Sequence, residues 1–167
     1  MRLDLGAIAK GYAVDEALRV LKKHDITRAL ISGGGDMAAL DAPPGKKGWR
    51  VELAGASTNS MPAEFVLLKN HALATSGDVF QHVEIAGVRY SHIVDPRTGI
   101  GLTNRSMVVV IAPNCAAADS LSTAISVLGP DAGMPLAKWK NACVRIGSEV
   151  GGRIAVRQSS CFVGRLE

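Results

Sequence analysis

The stretch AADSLSTAISVLG places Asp119 and Thr123 four residues apart, with Ser122 between them. On a helix, residues i and i+4 project from one face, and Ser122 lies on the same side. A carboxylate grouped with hydroxyls can hold a hard cation. Mg²⁺ in particular takes few protein oxygens and keeps sites for water and phosphate. The alternative is a solvated polar stripe on a surface helix. The Ala and Leu residues around Asp119 weigh against it, because an acid beside a packed face needs a partner. Earlier in the chain, Gly33-Gly34-Gly35-Asp36 follows an apolar run, and its amides can form a nest for an anion. It can equally be only a tight turn, since it has neither the Lys-Ser/Thr of a P-loop nor the spacing of a dinucleotide fingerprint. In RYSHIVDPRTG, His92 ends a strand-like run and Asp95 precedes a proline turn. A histidine there is either a general base or a side chain satisfied at a sheet edge. ATSGD, from Ala74 to Asp78, is rich in hydroxyls; it either meets a ligand or joins two strands. No GxSxG elbow occurs and nothing pairs a Ser or Cys with a base, which disfavours covalent hydrolase chemistry.

These residues need elements to hold them. Val14, Ala17, Leu18 and Leu21 recur at helical spacing, so residues from about Ala7 to His24 predict an amphipathic helix, closed by Lys22, Lys23 and His24. A strand over Arg28–Ile31 leads into the Ser32–Asp36 turn, and Trp49, Val51 and Leu53 alternate with Arg50 and Glu52 as a half-buried strand does. Further strands are expected at Glu64–Leu68, Ala72–Thr75, Phe80–Ile85, Val88–Val94, Met107–Ile111, Ala142–Ile146 and Arg153–Val156, with Ala86-Gly87 as a hairpin turn. Asn114 suits the N-cap of a helix running to Leu128, Gly129-Pro130 stops it, and a shorter helix follows near Met134–Lys140. Strands outnumber helices without alternating with them, which favours an α+β fold.

The 167 residues suffice for one domain with a real core, and 47% hydrophobic against 20% charged residues argues against disorder. The net charge of +4 comes from scattered Lys and Arg, so nucleic acid is not an expected partner. The 3 cysteines are widely spaced and outside any CxxC pattern, which indicates neither a zinc site nor a disulfide framework. No run is apolar enough to span a bilayer, and no signal-peptide pattern is present in these residues.

Taken in order, DLGAIAKGYAVD, ISGGGDM, ATSGD, YSHIVDPRTG and VIAPNCAAADSLSTAISVLG resemble the ApbE-type flavin transferases, the FAD:protein FMN transferases. The resemblance covers nearly all of residues 3–147. It implies a mixed, mainly antiparallel β-sheet packed by helices. It also implies Mg²⁺-dependent cleavage of the FAD pyrophosphate, with FMN passed to a Ser or Thr of a partner protein and AMP released. The alternatives are an FAD pyrophosphatase giving FMN and AMP, and a non-catalytic remnant that binds flavin nucleotide. Carried over by position, Asp119 and Thr123 resemble metal ligands, with Ser122 beside them and Ala7 offering a backbone carbonyl. Asp4 and Lys10 match positions that contact FAD, Val94 one that touches the flavin nucleotide through its backbone, and His92 the base that deprotonates the acceptor hydroxyl.

Family members normally carry a leader and an N-terminal half before the DLG motif. The chain is therefore expected to be the C-terminal portion of such an enzyme, a single domain over 1–167 with ragged ends at 1–3 and 158–167. The implied partners are FAD and an acceptor protein, expected to be a redox-complex subunit; a homo-oligomer is compatible with the sequence. The implied location is the periplasm or cell envelope, with the cytoplasm as the alternative.

Overall fold

The structure is a computed structural model that describes residues 3–53, 64–77 and 81–167. Asp78 of the ATSGD motif and Phe80, expected to open a strand, lie outside the described residues. The first half of the chain forms α1 (Ala9–Lys23), β1 (Leu30–Gly33), β2 (Asp36–Ala39), β3 (Trp49–Glu52), β4 (Phe65–Leu68) and β5 (Ala72–Gly77). There follow the short strands β6 (His82–Ile85), β7 (Val88–Ser91), β8 (Val94–Asp95) and β9 (Ile100–Gly101). The second half holds β10 (Ser106–Ala112), α2 (Cys115–Trp139), β11 (Cys143–Val150), β12 (Arg153–Gln158) and α3 (Ser160–Val163).

The main sheet has 6 strands in the order β1-β2-β5-β10-β11-β12, and every pairing is antiparallel. The fold is thus the mixed, mainly antiparallel α+β architecture expected. Both faces of the sheet are covered at its centre, so β10 is apolar at every position from Met107 to Ala112 rather than at alternate ones. Val108, Val110, Ala72, Ala74, Val144 and Ile146 face α1 and α2. Val109, Ile111, Leu73 and Cys143 face the β3–β4 ribbon and Phe162 of α3. Side chains alternate along a strand, so the positions that share a face with Ala38 and Ala74 include Asp36 and Ser76. Both polar residues are thereby turned toward the helices.

Only Gly34 and Gly35 (φ 60° and 92°) turn the chain after β1, and Asp36 opens β2 instead of closing a loop. The expected Val88–Val94 strand divides into β7 and β8, because the chain turns through His92 and Ile93. Asn114 does cap α2, its Oδ1 accepting from the Ala117 amide at 2.8 Å. Gly129 breaks that helix (φ 74°), but helical geometry resumes at Pro130 rather than near Met134, since a proline fits a helix's first turn. Residues 158–167, expected to be a ragged end, carry α3, where Phe162 is fully buried. A disulfide was not indicated by the cysteine spacing, yet Cys143 and Cys161 are joined. Among the described residues no helix is long and apolar enough to cross a membrane.

Candidate functional site

The site begins where the first turns of α1 and α2 touch. Gly11 lies against the start of α2; a Cβ there would stand 2.4 Å from the Cys115 carbonyl oxygen, so only glycine allows the approach. One helical turn on, the Asp15 carboxylate accepts the Cys115 amide at 2.8 Å and the Ala116 amide at 2.9 Å. Free amides at a helix N-terminus attract anions, and here α1 supplies one. The two helices are therefore fixed in register, and Asp119 arrives beside Gly11 and Lys10.

Asp119 is buried, and its Oδ2 accepts the Gly11 amide at 3.0 Å. Its Oδ1 accepts the Lys10 ammonium at 2.9 Å, and the same nitrogen donates to Asp36 Oδ2 at 2.9 Å. Lys10 thus bridges two buried carboxylates while its own side chain remains 43% exposed. Burial acts to lower the lysine's pKa, but the bonds to Asp119 and Asp36 outweigh it and the value is raised above the usual 10.5. Burial pushes the Asp36 carboxyl above its usual 3.8, against the hydrogen bond from Lys10. Nearby, burial raises the Cys115 thiol to about 12, with Asp36, Asp15 and Asp119 adding to the effect. That thiol stays protonated near neutrality and is no nucleophile.

Next to the carboxylates is a cluster of hydroxyls. Ser76 Oγ lies 2.7 Å from Ser122 Oγ and 3.1 Å from Thr123 Oγ1. Ser122 also donates to the Asp119 carbonyl at 2.9 Å. Among the described residues no three His, Cys, Asp or Glu side chains converge as a ligand group. The donors gathered here are carboxylate and hydroxyl oxygens, a hard set that suits a cation content with few protein ligands. The ammonium already lodged between Asp36 and Asp119 shows that the pocket accepts positive charge.

The structure therefore brings Asp119, Ser122, Thr123 and Lys10 together and adds Asp15, Asp36 and Ser76 to them. Sequence reasoning singled out Asp36 and Ser76 only within stretches that either meet a ligand or merely turn the chain, gave neither side chain a role, and missed Asp15. The available signal was a lone acid within the apolar stripe of α1 and another at the head of an apolar strand. Ala7 is exposed in the Gly6–Ile8 turn that leads into α1. Asp4 shapes that turn, its Oδ1 accepting the Gly6 amide at 2.7 Å. His92 and Val94 lie outside the main sheet, where β6 to β9 pair among themselves as two ribbons. His92 is exposed, with Nδ1 3.1 Å from the Gln81 carbonyl oxygen, and Val94 pairs with Gly101. Asp95 beside them is held by Arg97, whose side chain and amide keep the carboxyl below its usual 3.8.

The model of the ApbE family matches residues 1–146. A FAD:protein FMN transferase of Vibrio cholerae is 34% identical over 138 residues, which cover 81% of this chain and 41% of the relative. One from Treponema pallidum is 37% identical over 139 residues, or 77% of this chain and 38% of the relative. Among solved structures, the flavin transferase ApbE from Vibrio cholerae superposes with a TM-score of 0.85 at 31% identity. That match covers 98% of this chain and 52% of the other. The ApbE protein of Thermotoga maritima gives a TM-score of 0.84 at 34% identity, over 98% and 53%. The chain thus spans less than half the length of these curated relatives and about half of the solved ones.

Proposed function

The chain belongs to the ApbE family, and we propose from that premise that it serves the Mg²⁺-dependent transfer of FMN from FAD to a Ser or Thr hydroxyl of a partner protein, with release of AMP. The observation that carries this reading is the buried Asp119, fixed by two backbone-anchored helices, with Oδ1 turned to a cation among oxygen donors. The curated relatives are named FAD:protein FMN transferases, which supports the transfer of FMN from FAD to a protein.

Asp119, Thr123 and Ser122, with the Ala7 carbonyl, would hold the metal. When bound, a divalent ion there neutralises charge on the diphosphate that is split. Lys10, half-exposed beside it, offsets further phosphate charge, and Asp4 and the Val94 backbone orient the nucleotide. The acceptor hydroxyl oxygen forms a bond to the FMN phosphorus as the bond from that phosphorus to the AMP oxygen breaks. The hydroxyl proton passes to His92, and alignment of the two groups contributes much of the rate. The acceptor is a subunit of a redox complex in this reading. The Cys143–Cys161 disulfide supports a periplasmic or cell-envelope location, because such bonds persist in oxidising compartments.

The test is to incubate the chain with FAD, Mg²⁺ and a candidate acceptor, and to analyse the products by mass. An FMN adduct on the acceptor together with AMP is the expected result. AMP without the adduct makes the protein a pyrophosphatase, and neither product removes the catalytic reading.

A further inference from the structure

Asp36 has no part in the transfer chemistry above, yet it is 1% exposed and shares the Lys10 nitrogen with Asp119. A buried carboxylate is costly unless something answers it. One ammonium against two buried carboxylates leaves a negative charge uncompensated, which favours the arrival of more positive charge. Asp119 Oδ2 accepts the Gly11 amide, which leaves Oδ1 as the better-placed oxygen for a metal. Lys10 is already there at 2.9 Å. Two cations on one buried carboxylate oxygen repel each other more strongly than they would in bulk water. Asp36 Oδ2, also 2.9 Å from the nitrogen, lets the ammonium give up Asp119 without losing a carboxylate partner. The turn before Asp36 closes on the lysine's stem: a Cβ on Gly34 would stand 2.9 Å from Lys10 Cδ. That contact confines the stem and keeps the ammonium near both acids.

We propose that Asp36 is a positioning residue that retains the Lys10 ammonium when a divalent cation takes Asp119. The lysine then stays at the mouth of the site and faces the substrate phosphates instead of competing with the metal. The inference rests on the reading of Asp119 as a metal ligand.

The test is a titration of the full chain with Mn²⁺ alone, the free ion being counted by electron paramagnetic resonance. Wild type, Asp36→Asn, Lys10→Met and the double variant are compared. Asp36→Asn should weaken Mn²⁺ binding about tenfold while Lys10 is present, and much less once Lys10 has been replaced. Lys10→Met alone should tighten binding. An equal loss with and without Lys10 would mean that Asp36 acts only as a bare negative charge, and it overturns the proposal while leaving the metal reading intact. No Mn²⁺ binding by the wild type overturns both. Should Asp36→Asn fail to fold, a wild-type crystal grown with Mn²⁺ decides. Nζ on Asp36 and away from Asp119 supports the proposal, whereas Nζ still on Asp119 Oδ1 overturns it.

Discussion

At Asp119 the side chain has two partners of different kinds, a backbone amide and an ammonium, while the backbone carbonyl of the same residue accepts the Ser122 hydroxyl. Asp119→Asn keeps the shape and an acceptor for the Gly11 amide, but it removes the charge. Calorimetry with Mg²⁺ should show affinity falling by more than about tenfold, roughly 1.4 kcal/mol, and transfer should fail with it. His92→Ala, by contrast, should leave Mg²⁺ binding untouched and slow transfer by about 10²-fold or more, the usual share of a general base. A loss of metal affinity in that variant would show that its ring serves the fold instead. The raised Lys10 pKa carries a pH signature. A lysine whose pKa is raised on folding adds stability that is complete below 10.5 and lost as pH climbs through the folded value. The stability gap between wild type and Lys10→Met should thus be flat near neutrality and close only above that value, as denaturant melts at stepped pH would record. The Asp119–Thr123 pair was legible in the sequence because helical spacing alone puts both on one face. Lys10 was legible only through the family resemblance, as a position that contacts FAD. Its partners lie 26 and 109 positions away, and no local pattern encodes such a pairing.

The elements explain why those side chains meet. α1 and α2 are held by a missing Cβ at Gly11 and a carboxylate at Asp15, two devices on the same face of one helix. Gly11→Ala would drive a methyl group into the backbone of Cys115, which cannot move aside as a flexible side chain could. Overpacking of this kind costs about 1–3 kcal/mol, and denaturant unfolding should show a loss in that range. Asp15→Ala leaves the first amides of α2 without their anion, for a loss of about 1–2 kcal/mol. Asp15→Asn should recover part of it, because the amide oxygen still accepts one bond. Both changes should also weaken Mg²⁺ binding, since Asp119 is placed by the helix they anchor. α1, β10 and the Gly129-Pro130 break were all legible, because long apolar periodicity and strong breakers dominate local conformation. β2 was not: DMAA is short, has an acid at its head and shows no alternation, and only pairing with β1 and β5 makes it a strand.

The whole molecule is a sheet between two cores, and the second core depends on the last residues of the described chain. Phe162 fills it from α3, Leu166 bridges to Val66, Arg165 reaches His71 at 2.9 Å and Arg50 pairs with Glu167. The Cys143–Cys161 bond ties this segment to β11 across 18 positions. In the sequence, SCFVGRLE is too short for periodicity to speak, and an odd number of cysteines hid the pair; burial and proximity appear only in three dimensions. Closing a loop of this size restricts the unfolded chain by about 3 kcal/mol. Removing a buried phenylalanine costs about 3–5 kcal/mol through lost burial and the cavity left behind. Reduction with dithiothreitol and the substitution Phe162→Ala should each lower the melting temperature, by about 2–4 °C per kcal/mol for a chain of this length. The two act on one segment, so together they should fall short of the sum, because a tail already undocked has little left for the bond to hold. A melting temperature indifferent to both treatments would mean that residues 158–167 are no part of the core, and that the second face of the sheet is closed by something else.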